Sequence, residues 1–402
     1  MPVRATKRGA ERTPFPSGAS YDVVICGASF AGLAVARELR ASRARVLVLD
    51  RYEIGEKQTS ACCAPTEWIV NLGLEASIRQ TFDSMVMHTM GAHVRWQIPY
   101  TFSTFDYREL CELMWAQCGE AEFETAKVDG RTGNVVHTDR GDVRGELIVD
   151  ALGWRRVLGA GTVQPPEATL SRGLEVHPNG SGPDLQLWVD PRYVPSGYGW
   201  SFPAGDEMRI GIGSYDPRFH VKEPTVRLAE DEGADTVRYQ GNWIPHRFRD
   251  PVEDGVFFCG DSAGHCLAMS AEGIRTAWYF GIAVGRELAQ VLAGERTRDE
   301  ALGRYAAFAE EHRWKFEWMW LNQRCVRHLH GRPLDRLARF TSRRRVIHWL
   351  FRKYLNVAPP QFALPAPAAA QPALSVAARA LSRSRRARTR RGSPAPPTAR
   401  RR

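Results

Sequence analysis

The clearest pattern of apolar and polar positions lies at residues 21–53, "YDVVICGASFAGLAVARELRASRARVLVLDRYE". Two short β-branched runs, at 23–25 and 46–49, flank an Ala- and Leu-rich stretch. Nearly continuous apolar strands mark a parallel sheet buried on both faces. The pattern predicts strand, tight turn, helix over residues 33–39, strand: one βαβ unit of ordinary length. Residues 71–104 and 161–249 follow another rhythm, with Trp, Tyr, Pro and short alternating runs such as "DLQLWV" and "MRIGIG". Alternation of this kind predicts a mostly antiparallel sheet. From Gly255 the parallel pattern returns in "GVFFCGDSAG", followed by the helix "EGIRTAWYFGIAVGRELAQVL", and residues 300–356 read as helices.

One strand stands out. In "VPSGYGWSFP", Tyr198, Trp200 and Phe202 recur at spacing two. A strand projects residues i, i+2 and i+4 onto one face. The three rings therefore form one apolar wall, with Gly199 and Ser201 facing the other way.

Composition narrows the class. At 402 residues, with 43% hydrophobic and 25% charged residues, the chain can bury a large core. Its net charge of +10 is local, since residues 359–402 hold ten Arg and no acid, and the remainder balances at 45 basic and 45 acidic residues. A neutral body argues against a specific nucleic-acid partner. Residues 1–20 read as a disordered polar leader, and the Pro/Ala/Arg/Ser-rich stretch 359–402 as a disordered basic tail. The eight Cys form no CxxC, and no His cluster has zinc spacing, so no metal site is expected. Free Cys in apolar runs and the lack of a signal peptide or an eighteen-residue apolar run predict a cytoplasmic protein without disulfides.

The candidate chemistry begins at "GASFAG". Gly27 and Gly32 occupy the first and last positions of GxGxxG, with Ser29 in the middle. Gly27 allows the tight turn, and Gly32 lets helix and strand approach. The helix N-terminus then offers free N–H groups to a pyrophosphate. Asp50 closes the second strand, placed to accept both ribose hydroxyls of an adenosine. Strand, loop, helix and acid together predict a dinucleotide site.

A second signature distinguishes the dinucleotide. Gly260-Asp261 follows an apolar strand, and Gly273 opens a long helix. FAD carries a ribityl chain whose hydroxyl suits a carboxylate at a strand end. A helix N-terminus beneath the flavin edge stabilises its reduced, anionic form. NAD needs neither. Two weaker features agree: Arg108 at a helix start in "FDYRELCELM", within reach of phosphate or flavin, and Asp150 and Gly153 as DxxG after a strand.

The order GxxxxG, Asp50-Arg51, Arg108, DxxG, PxxYxWxFP, GD, EGI resembles the geranylgeranyl reductase family over about residues 21–300. PxxYxWxFP, matched by Pro195, Tyr198, Trp200, Phe202 and Pro203, is its most specific motif. The resemblance implies an FAD enzyme of the para-hydroxybenzoate-hydroxylase-like fold that saturates isoprenoid double bonds. The fold would be α/β: a discontinuous Rossmann-like FAD-binding domain (21–70, 105–160, 250–300), an inserted mostly antiparallel β domain for substrate (71–104, 161–249) and C-terminal helices (301–358). Non-covalent FAD would contact Gly27, Ser29, Ala31, Gly32, Asp50, Arg51, Arg108, Asp261, Gly273 and Ile274, with Cys62 and Ala64 beside the flavin. Tyr198, Trp200, Phe202 and Pro203 would line a cavity for an apolar polyene, and Tyr198 or Cys62 would donate a proton. This chain has "SACCAP" where the family often has a Cys followed by glycines.

Other functions suit the same fold. A monooxygenase or halogenase is one, though Tyr198 and Phe202 depart from the W-x-W-x-I-P of halogenases, and Lys57 sits in a loop. A non-catalytic prenyl-lipid-binding protein is another. No second GxGxxG is evident, so NAD(P)H would bind transiently or a ferredoxin would supply electrons. The Arg-rich apolar segment "PLDRLARFTSRRRVIHWLFRKYLN" and the tail, residues 334–402, form a candidate peripheral membrane contact.

Overall fold

The computed structural model describes residues 12–160, 170–326 and 328–365. In chain order, β1 (Ser20–Cys26), α1 (Phe30–Glu38) and β2 (Val46–Asp50) make the predicted βαβ unit. The helix starts three residues earlier than its Leu-rich stretch suggests, directly after Ser29. Then come β3 (Cys63–Pro65), α2 (Thr66–Asn71), β4 (Ile78–His88), β5 (His93–Phe105) and α3 (Tyr107–Trp115). Next come β6 (Glu122–Thr125), which pairs with β2, and a meander of β7 (Val128–Thr132), β8 (Val135–Thr138) and β9 (Gly141–Asp150). The next stretch holds β10 (Leu170–Val176), β11 (Leu185–Trp188), β12 (Gly197–Ala204), β13 (Glu207–Ser214), α4 (Lys222–Asp231) and β14 (Gln240–Pro245). β15 (Val252–Glu253), β16 (Val256–Phe258) and α5 (Ile274–Leu292) precede three helices, α6 (Arg298–Val326), α7 (Arg332–Thr341) and α8 (Arg344–Leu355).

Two eight-stranded sheets result. The first runs β15-β16-β9-β1-β2-β6, with β7 and β8 attached through β9. Its β1 pairs in parallel with both β2 and β9, as the unbroken apolar runs require. The α/β class and the Rossmann-like sheet are therefore as the sequence indicated. The second sheet runs β14-β10-β13-β12-β11-β4-β5-β3 and is antiparallel except where β11 meets β4. Strand β3 extends this second sheet by pairing with β5, although it falls in the segment that the sequence groups with the first. The main core gathers α1, α2, α3, α5 and α6 around one face of the parallel sheet, with Trp68, Phe105, Trp278 and Tyr305 fully buried.

The ends of the body extend beyond their predicted limits. Residues 12–19 belong to the expected disordered leader, yet Arg12 donates to Thr125 O at 2.8 Å and the Phe15 N–H to Arg140 O at 2.8 Å. The Arg140 guanidinium stacks on the Phe15 ring at 4.5 Å. At the other end, residues 359–363 of the expected tail are pinned by Asn71 Nδ2 donating to Pro360 O at 3.0 Å and by Gln361 donating to Glu67. The rest of the leader, 1–11, and of the tail, 366–402, lie outside the described residues, as do 161–169. The described residues up to Ala363 form one compact unit. All eight cysteines are unpaired. Among the described residues no helix is long and apolar enough to cross a membrane, and no cluster of metal-ligating side chains occurs.

Candidate functional site

One cavity of about 1390 Å³ touches both sheets and the last three helices. Its first end is the turn between β1 and α1. Gly27 has φ +114°, and a Cβ there would sit 2.3 Å from Ala151 O, while one at Gly32 would sit 1.8 Å from Gly27 O. No side chain fits at either place, which brings strand and helix into contact. The Ser29 hydroxyl lies 3.0 Å from Tyr107 Oη and caps nothing, so the first-turn N–H groups of α1 stay open. Ala28, Ser29, Phe30 and Ala31 line the cavity there. Asp50 lines it too, its Oδ2 accepting from Ala28 N at 2.9 Å and its Oδ1 from Tyr52 N at 3.0 Å. Burial raises its pKa, and those two N–H bonds pull against the rise. Arg51 stands exposed at the rim. Arg108 does not line the cavity: it is exposed and packs its backbone over Gly55.

Asp261 and the start of α5 form the next part of the wall. Asp261 is half-buried, and its carboxylate accepts no hydrogen bond from any described residue. Burial lifts its pKa to about 6, with Arg249 opposing. Gly273 caps α5 with no side-chain bond, so this helix also opens on the cavity with free N–H groups. Ile274 follows it on the wall. The intervening loop is fastened by three tyrosines: Tyr198 Oη donates to Ser270 O at 2.5 Å, Tyr215 Oη to Met269 O at 2.5 Å, and Tyr354 Oη to Ser270 Oγ at 2.8 Å. The fully buried Arg275 binds Glu272 at 2.6 Å and the Leu355 and Tyr354 carbonyls at 2.9 Å each. Asp150 of the DxxG stretch accepts from Ser262 Oγ at 2.6 Å, tying β9 to the Gly260-Asp261 turn.

The aromatic strand lies as its alternation indicates. Tyr198, Trp200 and Phe202 all line the cavity, while Gly199 faces Leu228 of α4. Trp200 fits flat because its partner on β13 is Gly211: a Cβ there would strike the ring at 2.3 Å. Met85, Met87, Trp96, Phe102 and Leu187 complete an apolar wall. Pro203 is not part of it; it is buried behind, its carbonyl accepting from Thr104 Oγ1 at 2.8 Å.

Cys62 is a clear departure from expectation. It adopts φ +54° and is fully buried, and its thiol points to Ser60 O at 3.1 Å. Burial drives that thiol well above its ordinary pKa, and the side chain does not reach the cavity. Neither a proton-donor nor a flavin-contact role suits it. Cys63 lines the cavity instead, and Ala64 is buried within β3. Tyr198 keeps its place on the wall, but burial raises its pKa strongly and its proton is held by Ser270 O.

Four charged residues beneath Trp200 were not singled out in the sequence. Glu175 lines the cavity and accepts from Trp200 Nε1 at 3.0 Å. Its other oxygen meets His177 Nε2 at 2.9 Å, and His177 Nδ1 meets Glu207 at 3.3 Å. Arg209 Nε binds Glu207 at 3.1 Å, and its Nη1 donates to Ala61 O at 3.0 Å and Cys62 O at 3.3 Å. Burial lowers the His177 pKa, but the bonds to Glu175 and Glu207 prevail and hold it at about 9. Burial raises Glu207, and His177 and Arg209 overcome it, bringing it to about 2. The network is two cations against two anions. Its signal was the E-x-H of β10 set against the E-x-R of β13.

Comparison with known proteins bears out the resemblance. No protein-family model matches the chain. Over 165 residues it is 33% identical to geranylgeranyl diphosphate reductase of Rhodobacter capsulatus, covering 39% of this chain and 40% of that enzyme. The matched stretch thus spans well under half of either protein. A geranylgeranyl bacteriochlorophyll reductase-like protein from Thermoplasma acidophilum has a similar fold, with TM-score 0.74 and 16% identity over 86% of this chain and 98% of that one. A probable FAD-dependent monooxygenase from Pseudomonas aeruginosa, PqsL, is also similar, with TM-score 0.62 and 17% identity over 79% of this chain and 98% of that one.

Proposed function

We propose that this chain is an FAD-dependent oxidoreductase that reduces carbon–carbon double bonds of an isoprenoid or another apolar polyene. One observation carries the reading: a single cavity joins a dinucleotide cradle to an apolar aromatic wall. The residues present fit FAD. Two helix N-termini are uncapped by side chains, and the half-buried Asp261 carboxylate on the cavity wall lacks a donor, so pyrophosphate oxygens and a ribityl hydroxyl would each find a partner. When bound there, FAD would supply hydride-transfer chemistry, with NAD(P)H or a ferredoxin as the source of electrons.

The chain's own residues do the rest. The open turn of α1 holds the pyrophosphate, Asp50 accepts the ribose hydroxyls, and Asp261 accepts from the ribityl chain. The N-terminus of α5 stabilises negative charge on the ring. Trp200, Phe202, Met85 and Phe102 hold a flexible hydrocarbon through area and dispersion and keep water away. Tyr198 is the proton source within the wall, its hydroxyl turning from Ser270 O to the substrate. Peripheral contact with a membrane through residues from 334 onward would bring a lipid substrate within reach.

Met85, Met87, Trp96, Phe102, Leu187 and Phe202 present hydrocarbon to the cavity, which favours reduction of a polyene, while Ser171, Glu175, Gln240 and Asn242 are the polar part of the lining. Lys57, the lysine a halogenase would use, is exposed at the cavity rim. The test is ligand extraction: purified protein should release FAD in about equal amount to the chain, together with prenyl lipid. Colourless, flavin-free protein that still carries prenyl lipid would instead support a lipid-binding role.

A further inference from the structure

The outer end of the cavity is walled by α6, α7 and α8. Five large apolar side chains there line the cavity and yet stand open to solvent: Trp314 and Trp318 of α6, Leu337 of α7, and Trp349 and Leu350 of α8. The three tryptophans are 64%, 58% and 61% exposed. A residue that is both lining and exposed marks a mouth. Exposed tryptophan is unusual on a soluble surface, and three around one opening form an apolar rim.

The α7 and α8 side of that rim is basic, while around Trp314 and Trp318 on α6 the charges balance, with Glu310, Glu311 and Glu317 against Arg313, Lys315 and Arg324. Residues 332–353 hold eight Arg and Lys and one acid, Asp335. Asp335 is already engaged, accepting from Thr89 Oγ1 at 2.5 Å and Gly91 N at 3.2 Å. Arg336, Arg343, Arg344, Arg345, Arg352 and Lys353 form no ion pair among the described residues. Tryptophan settles at the boundary between headgroups and acyl chains, and unpaired cations are drawn to anionic headgroups. A second copy of the chain would bring an equally basic rim against this one, and like charges oppose that contact.

We infer that the collar formed by α6, α7 and α8 docks on an anionic phospholipid bilayer, seating Trp314, Trp318 and Trp349 among the headgroups so that the cavity opens directly onto the membrane. The docking stands on the surface itself, and the cavity's use as a route for substrate rests on the lipid-reductase reading. The hydrocarbon chain would then slide from the bilayer into the cavity without crossing water.

The test is flotation of the full-length protein with phosphatidylcholine vesicles, with and without phosphatidylglycerol. Binding should rise with phosphatidylglycerol and fall with added salt. Trp314→Ser/Trp318→Ser/Trp349→Ser should lose roughly tenfold in partitioning, with circular dichroism and retained FAD as checks on folding. Arg343→Gln/Arg344→Gln/Arg345→Gln should lose the salt-sensitive part. It should also turn over a vesicle-borne substrate more slowly, and a soluble short-chain prenyl alcohol at the parental rate. Three results would overturn the inference: a parent that does not float, a tryptophan variant that floats as well as the parent (binding through the tail), or a dimer in solution that the tryptophan substitutions dissociate. If vesicles are bound and neither substrate is reduced, the docking stands and the reductase reading fails.

Discussion

The hydroxyl of Tyr198 donates to the carbonyl of Ser270 across 2.5 Å. This bond joins the aromatic wall to the loop that delivers Gly273 and the N-terminus of α5. The aromatic strand β12 and the start of α5 are thus mechanically linked. Tyr198→Phe removes the bond and, on the proposed function, the proton donor together. Turnover should fall sharply, and FAD should bind about fivefold more weakly, as expected for one net hydrogen bond of about 1 kcal/mol. Flavin titration of the apoprotein checks the second part. Unchanged FAD affinity would mean that the bond does not position the loop.

Asp261 trades stability for binding. Burial raises its pKa from an ordinary 3.8 to about 6. A carboxyl raised on folding holds its proton more tightly when folded, so its effect favours the folded state at low pH, and that advantage fades as pH climbs from about 4 to about 6. In the flavin-free protein, Asp261→Asn should be more stable than the parent at about pH 7, by on the order of 2 kcal/mol, with the gap closing near pH 4. The same variant should retain FAD poorly. Chemical denaturation of both apoproteins at the two pH values checks the sign.

His177 has a dependence of the same sign at higher pH, and Glu207 the opposite one. The His177 pKa is held at about 9 against an ordinary 6.5. The stability it adds is complete below pH 6.5 and is lost as pH rises through 9. Glu207, brought down to about 2 from 4.5, adds stability above pH 4.5 that is lost as pH falls towards 2. Parental stability should therefore drop between pH 6.5 and 9 by on the order of 3 kcal/mol from this group. His177→Gln should be less stable at about pH 6 and lack that drop, because Glu175 then keeps a buried charge without its partner. A parallel decline in both proteins over that interval would exclude His177 as its source.

What could be read from the sequence was what the local chain decides. The βαβ unit, Gly27, Gly32, Asp50, Asp261 and Gly273 all lie in contiguous stretches whose backbone geometry sets their use. The same-face rings of β12 follow from a period of two. Residues whose role depends on a distant partner were harder to place. Alternation could say nothing of the positive φ that turns Cys62 inward. The spacing of Pro203 from the rings put it near the wall but not behind it. Glu175 and His177 meet Glu207 and Arg209 only once β10 is registered against β13. Residues 12–19 are held by Arg140, more than a hundred residues away in the chain.

Trp200 tests the wall. Trp200→Ala should weaken binding of an apolar ligand by about 2.5 kcal/mol, the worth of roughly 100 Å² at ~25 cal/mol per Å², and should leave FAD affinity unchanged. Equilibrium binding of a prenyl alcohol to the oxidised holoprotein measures this. Parental affinity in the variant would place the ligand elsewhere in the cavity.

The most direct test of the account is anaerobic. The flavin is reduced, candidate prenyl lipids are added, and flavin reoxidation is followed together with product mass. Reoxidation should proceed without oxygen and give a product that has gained two hydrogens. Reoxidation only after oxygen is admitted, with a product heavier by one oxygen atom, would contradict it and make the protein a monooxygenase.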